Sequence, residues 1–185
     1  MNSRSFLSLR KAAGLTLVEL MVTVAVLAIV VSIAIPSFNG IVASNQLTGP
    51  ANEVFSMMHF ARSEAIRLNQ NIEFCKSNAD GTACNTSNGK WPGVLVMRPN
   101  TSGTPTLLRQ LMFDTTFNVN STHPLLVFNS QGFIRSSANA AISGTLRVCS
   151  SSSSLKDNSR DLAFVSGGRV SISKNNVTGC TEPSQ

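Results

Sequence analysis

The chain has 185 residues, with 15 lysines and arginines against 9 aspartates and glutamates, which gives a formal charge of +6. Charged residues make up 13% of it, whereas about 25% is usual in soluble globular domains, and the apolar residues are concentrated near the N-terminus. This asymmetry excludes a uniform soluble globule, and the length allows one domain with appendages.

The N-terminal region contains an apolar segment, residues 15–35, in which Glu19 is the single ionisable group. A helix of these 21 residues is roughly 32 Å long, enough to cross a bilayer core of about 30 Å. We therefore predict a membrane-spanning helix. Because Arg4, Arg10 and Lys11 precede it, this end should stay in the cytoplasm and the rest of the chain should lie across the membrane.

A secretory signal peptide is the alternative for this segment, since residues 32–34 have the small-x-small pattern that signal peptidase recognises. The acidic Glu19 near the start of the apolar run, and the length of that run, argue against a signal peptide. A cut on the other side, between Gly14 and Leu15, would leave the whole helix on the mature protein.

Glu19 requires a partner, because an acidic residue near the centre of a membrane helix costs about 2.5–3.5 kcal/mol. A cut after Gly14 would create one, since the new α-amino group of Leu15 would be positive at neutral pH. The two charges would pair within a subunit or between neighbouring helices and set their axial register. The alternative is that Glu19 lies at headgroup depth and is solvated.

Residues 14–20, GLTLVEL, resemble the class III leader junction of type IV pilins and type II secretion pseudopilins. In that family a prepilin peptidase cuts after the glycine and methylates the new N-terminus. The resemblance implies that residues 1–14 are a cleaved leader, that Gly14 and Leu15 flank the cut, and that Glu19 guides assembly into a fibre. Leu15 replaces the commoner phenylalanine, a tolerated apolar substitution.

The apolar run is followed by Pro36, which lacks a backbone donor and predicts a helix kink. The pair Gly49-Pro50 predicts a second irregularity. Beyond it, apolar residues at three- and four-residue spacing predict an amphipathic helix packed by one face on a sheet. These residues are Val54, Phe55, Met58, Ala61, Ala65 and Leu68.

Residues 60–67, FARSEAIR, resemble a helix signature of the pilin subfamily that contains GspH, FimT and FimU. This second resemblance narrows the family from type IV pilins and pseudopilins in general to this subfamily. Together they imply an α+β protein with the type IV pilin fold. A long N-terminal helix, residues 15–70, has a membrane-spanning half and an amphipathic half and packs on a small head of two antiparallel sheets, residues 71–185.

The head is rich in Ser, Thr, Asn and Gly, which separate short apolar and β-branched runs. The pattern predicts a β-rich head large enough for its own core. The predicted strands are residues 72–76, 94–98, 107–113, 125–128, 133–136, 145–149, 162–165 and 169–173.

Four cysteines lie in the head, on the side of the membrane where disulfides persist, and allow three pairings. We favour Cys75 with Cys84, which closes a polar loop, and Cys149 with Cys180, which fixes the C-terminal tail. A zinc site would need closer spacing.

The sequence contains no phosphate-binding glycine loop, no His-Glu-x-x-His, no Gly-x-Ser-x-Gly and no strand-borne carboxylate pair. We therefore predict a structural subunit and no enzyme, without catalytic residues, cofactor or metal.

The first functional hypothesis is a FimU-like minor pilin in the bacterial inner membrane, with its head in the periplasm, and later at the pilus tip. The resemblance implies as partners other minor and major pilins, the inner-membrane assembly machinery, prepilin peptidase and the membrane itself. Its role would be to prime pilus assembly by helix bundling. A GspH-like pseudopilin of type II secretion is an alternative.

A nucleic-acid partner is the other alternative, because residues 86–185 carry nine basic against four acidic groups. Resemblance to the FimT branch of the subfamily would imply a DNA receptor for natural transformation. That branch carries a Gly-Arg-x-Arg motif near its C-terminus. Here Gly168-Arg169 is followed by Val and Ser, and the next cation is Lys174. The missing second arginine favours the FimU-like branch.

Overall fold

The computed structural model describes residues 14–100, 103–151 and 155–183, and for residues 34–39 the backbone alone. Apart from Gly14, the predicted leader lies outside these ranges. The chain divides into an N-terminal unit that ends at Asn39 and a larger unit that begins at Gly40.

The helix α1, Leu17–Leu68, has 52 residues. It starts after Thr16, whose side-chain oxygen accepts a hydrogen bond from the Glu19 N–H at 3.2 Å, as an N-cap residue does. At its other end Asn69 adopts a left-handed conformation, φ 52°, which stops the helix. No helix in the described part of the chain is both long and apolar enough to cross a membrane. The span predicted over residues 15–35 ends at residues 34–35, whose side chains lie outside the described part, and it stays a prediction.

The irregularity predicted at Gly49-Pro50 is wrong, because α1 continues through both residues. Leu47 and Ala51, on either side, are fully buried in the head. This packing offsets the hydrogen bond that Pro50 cannot donate. α1 also extends past Pro36, where the predicted kink stays a prediction.

Among the described residues of the larger unit, nine strands form two antiparallel sheets. The five-stranded sheet has the order β3-β2-β1-β5-β6, and the four-stranded sheet has the order β4-β7-β8-β9. The strands are β1 Ile72–Lys76, β2 Gly93–Arg98, β3 Thr106–Met112, β4 Phe117–Ser121, β5 Leu125–Phe128, β6 Ile134–Arg135, β7 Gly144–Ser150, β8 Ser159–Phe164 and β9 Val170–Asn175.

The core lies between α1 and the two sheets. One stripe of α1 is fully buried in it, at the three- and four-residue spacing that the sequence predicts, and alanines in the stripe allow the backbones to approach closely. The stripe residues are Leu47, Ala51, Val54, Met58, Ala61 and Ala65. The sheets meet it with buried side chains that alternate along each strand, including Phe74, Val96, Leu126, Leu146, Val148, Leu162 and Phe164.

Each predicted strand overlaps an observed one, but β4 is not predicted from the sequence. Its residues are Phe-Asn-Val-Asn-Ser, and asparagine and serine are poor strand formers. β4 exists because it pairs along its whole length with β7, while Val119 enters the core. This pairing is non-local, so the sequence of residues 117–121 alone does not predict a strand.

Arg160 of β8 joins the four-stranded sheet to α1 and is 1% exposed. Its guanidinium donates to the Ser44 hydroxyl at 2.8 Å and to the Thr48 hydroxyl at 3.3 Å, both on α1. It also donates to the carbonyls of Asp157, at 3.0 Å, and of Ser159, at 2.9 Å. No described carboxylate pairs with it. A buried cation is thus held entirely by neutral acceptors on two elements.

We expect Arg160→Met to lower the free energy of unfolding of the larger unit, residues 40–185, by about 2–4 kcal/mol. The reason is that the acceptors around the guanidinium lose their donor. The measurement is urea denaturation followed by circular dichroism. The matched control is Arg169→Met, at an exposed arginine, where a change within about 0.5 kcal/mol is expected. Equal stability of the two variants would contradict a structural role for the buried guanidinium.

Candidate functional site

The N-terminal part of α1 exposes apolar side chains on every side. Between residues 15 and 33 the exposed fraction of the large apolar side chains ranges from 44% at Val31 to 75% at Leu15. A helix that is apolar all round is stable when lipid or other helices cover it. The segment is therefore a surface for burial against something outside this chain.

The hydroxyl groups of this segment bond within the helix. Thr23 donates to the carbonyl of Leu20 at 2.8 Å, and Ser32 donates to the carbonyl of Ile29 at 2.7 Å. Their polarity is satisfied locally, which suits an apolar environment. Glu19 is the exception, because no described residue donates a hydrogen bond to its carboxylate or pairs with it.

The start of α1 gives Glu19 a local role as well. Thr16 and Glu19 form the Thr-x-x-Glu pattern of a helix N-terminus, and Glu19 lies in the first turn, where a negative charge is favourable. Thr16 is not among the site residues predicted from the sequence, although its spacing to Glu19 is visible there. Gly14 and Leu15 lie in non-helical backbone just before the helix. The predicted cleavage point is therefore outside regular structure.

The structure does not bring Arg169 and Lys174 together. Arg169 lies in the turn between β8 and β9, and Lys174 lies near the far end of β9. Five residues of extended strand separate them by roughly 16 Å, and side chains an odd number of residues apart point to opposite faces. Both are exposed, but they do not form one phosphate-binding surface.

Other arginines of the basic C-terminal region act inside the protein. Arg160 is buried, and Arg147 forms a bidentate ion pair with Asp161, with distances of 2.8 and 2.7 Å. Arg109 lies with its guanidinium 5.5 Å from the ring centre of Phe60 on α1. The excess positive charge of the sequence is thus partly used in packing and pairing.

Gly168, the glycine before Arg169, has a structural role. It has a φ of +78°, and a side chain there would come within 2.2 Å of the carbonyl oxygen of Gly132. The guanidinium of Arg62 on α1 donates to the Gly168 carbonyl at 3.0 Å. Gly168 therefore lets two turns pack together against α1. This packing explains why a glycine stands here, and no role in binding a ligand is needed.

Two disulfides fix the head. Cys75 is bonded to Cys84 and Cys149 to Cys180, the pairing that the sequence analysis favoured. Beside the second bond, Arg147 donates to the carbonyl of Thr181 at 3.0 Å. The tail is thus held on the outer face of the four-stranded sheet. No cluster of three or more potential metal ligands occurs among the described residues.

Two solved structures resemble this chain, both of the type IV minor pilin FimU of Pseudomonas aeruginosa PAO1, in space groups P65 and P21. They are 19% and 20% identical to it, with TM-scores of 0.51 and 0.53. The matches cover 68% and 70% of this chain and 91% and 90% of those chains. At this identity the likeness shows the fold, which is that of the type IV pilins.

Sequence comparison gives the family. The profile described as prokaryotic N-terminal methylation motif matches residues 9–35, and the profile described as type II transport protein GspH matches residues 51–176. The second match covers more than half of the chain, which therefore belongs to the GspH family of pilin-like proteins. Its members are structural subunits and not enzymes. No curated protein shows significant sequence similarity to the chain.

The Arg147–Asp161 pair predicts a pH dependence of stability. Burial alone would raise the pKa of Asp161, but hydrogen bonds from Arg147 and Asn175 outweigh it and lower the pKa below its ordinary value. A carboxyl group with a lowered pKa in the folded state stabilises the fold above the unfolded pKa, roughly 4, and this contribution is lost as the pH falls through the folded pKa.

We therefore expect Asp161→Asn to lower the melting temperature of the head at pH 7 and to flatten its fall below about pH 4. Melting curves by circular dichroism from pH 2 to pH 7 measure both effects. Asp80→Asn removes an exposed carboxylate and should leave the profile unchanged. An unchanged profile in Asp161→Asn would show that the pair contributes nothing to the fold.

Proposed function

We propose that this protein is a FimU-like minor pilin, anchored in the inner membrane by one pass of the apolar part of α1, with its head in the periplasm. The observation that carries the proposal is the division of α1 into a half exposed as apolar surface on every side and a half buried by one stripe in the head. One half is built to meet other helices or lipid, and the other holds a folded head.

The proposed mechanism is assembly by packing and charge pairing. Prepilin peptidase removes the leader after Gly14 and methylates Leu15. The apolar segment then leaves the bilayer and bundles with the helices of other minor and major pilins, under the control of the inner-membrane assembly machinery. This bundle at the tip primes the pilus. Apolar area that lipid covered becomes covered by helices, so that the transfer costs little hydrophobic free energy.

Glu19 directs this bundling in the proposal. Its carboxylate has no partner among the described residues, and it is the single ionisable group of residues 15–35. The α-amine of Leu15 in a neighbouring subunit would supply the opposite charge. Since one unpaired acid on an apolar helix can meet a cation at one axial position only, the pair selects one stagger between helices.

A type II secretion pseudopilin is the second candidate, favoured by the GspH match over residues 51–176. It would use the same helix and the same charge pair in a different fibre. The identity of the fibre with which the chain copurifies distinguishes the two, and so does the set of neighbouring genes. A DNA-binding role has less support, because Arg169 and Lys174 do not converge.

The Glu19 pairing is tested with Glu19→Ala in cells that make the fibre. We expect the variant to insert in the membrane normally and its amount in purified pili to fall roughly tenfold or more, because a tenfold change needs only about 1.4 kcal/mol of lost pairing. Quantitative immunoblots of membranes and sheared pili give both numbers. The control is Glu53→Ala, an exposed carboxylate on the same helix, which should incorporate normally.

Intact mass of the membrane-extracted protein accompanies this test. The expected species is residues 15–185 with one added methyl group. A different N-terminus, or equal incorporation of Glu19→Ala and the wild type, would contradict the pairing mechanism.

A further inference from the structure

The five-stranded sheet has an outer face, opposite to α1, that is only partly covered. The residues that alternate with the buried Phe74, Val96 and Leu126 point to this face. The strand register aligns five of them in one row across the whole sheet. This outer row consists of Leu107, Met97, Glu73, Val127 and Arg135.

The neighbouring part of the outer face is closed by the chain itself. Cys75 and Leu95 are fully buried there, in a small apolar cluster with Met97, against which Cys84 and Leu125 pack. The loop closed by the Cys75–Cys84 disulfide covers this part. Within the outer row, Met97 belongs to this buried cluster and is 5% exposed, whereas the end residue Leu107 is 41% exposed.

Glu73 lies in the middle of the outer row without a partner. It is directly opposite Met97 on one side and Val127 on the other. No described residue donates a hydrogen bond to its carboxylate or forms an ion pair with it. Burial raises the pKa of Glu73, since the apolar surroundings disfavour the charged form.

Two other partly buried carboxylates of the larger unit, unlike Glu73, have an arginine partner. Asp161 is paired with Arg147, and Glu64 with Arg67 at 2.6 Å. The cation of the outer row, Arg135, is two strands from Glu73, roughly 10 Å, and its guanidinium lies 5.5 Å from the ring centre of Phe133. The acid in the outer row is thus left for a cation from outside the chain.

We propose that the outer row docks a different pilin subunit, which places a lysine or arginine side chain on Glu73. Such a side chain fits the chemistry of the row, because its methylene stem can lie along the half-buried Val127 while its charged end reaches the carboxylate. Pairing across an interface offsets the desolvation of Glu73 and fixes which subunit docks. The inference rests on the proposed function, since it assumes that the chain lies in a fibre.

The test uses the full chain in cells that make the fibre. A photoreactive benzoylphenylalanine replaces Leu107 in the outer row or, as control, Val165, which is also 41% exposed and lies outside the row. Irradiated fibres are analysed by mass spectrometry. We expect a crosslink from position 107 to another pilin, next to a lysine or arginine, and no such crosslink from position 165.

Charge variants give the second measurement. We expect Glu73→Gln to lower incorporation into fibres roughly tenfold and Glu73→Lys to lower it further, because the second change opposes the partner's cation. Reversal of the charge at the crosslinked partner residue should restore incorporation of Glu73→Lys. Glu182→Gln, at an exposed carboxylate in the tail, is the matched control.

A folding defect is separated by the melting temperature of the head. Glu73→Gln should melt at the same temperature as the wild type or higher, since it removes a partly desolvated charge. A crosslink from position 107 to a second copy of this chain, no crosslink, or wild-type incorporation of Glu73→Gln and Glu73→Lys would overturn the inference while the proposed function stands. Absence of the wild-type chain from fibres would overturn both.

Discussion

One helix has to satisfy two different surroundings, and the rest of the structure depends on this constraint. From Leu47 onward α1 buries a single stripe in the head, and three of its six residues are alanines. Before residue 34 it has no such stripe, and its apolar side chains face outward in all directions. A regular helix can carry both patterns because its backbone hydrogen bonds are internal, so only the side chains need to match the surroundings. The two halves of α1 therefore differ in what their side chains require, although the backbone is helical in both.

Local pattern predicted much of this fold. The apolar run with Glu19, the stripe from Val54 to Ala65 and most strands follow from composition and periodicity, since each is set by residues close in sequence. β4 could not be predicted, because its polar residues form a strand only through pairing with β7. The continuity of α1 through Pro50 also depends on tertiary packing, which overrides the local effect of proline.

The environments of the arginines in the head could not be predicted from the sequence. Arg147, Arg160 and Arg169 look equivalent in the sequence. In the structure the first is paired, the second is buried against α1 and the third is exposed in a turn. Strand register decides these outcomes, and register is fixed by contacts far apart in the chain. The isolation of Glu73 follows from the same cause, because its direct neighbours Met97 and Val127 come from two other strands.

Arg160 also determines where the molecule can be divided. Its guanidinium reaches across to Ser44 and Thr48, on the first turns of α1 within the larger unit. A soluble fragment trimmed to begin after Thr48 would keep every strand and both disulfides. It would nevertheless place a charged group in the interior with half of its acceptors missing. A soluble head fragment should therefore begin before Ser44. A single side chain on β8 sets this N-terminal limit, because its acceptors lie at Ser44 and Thr48.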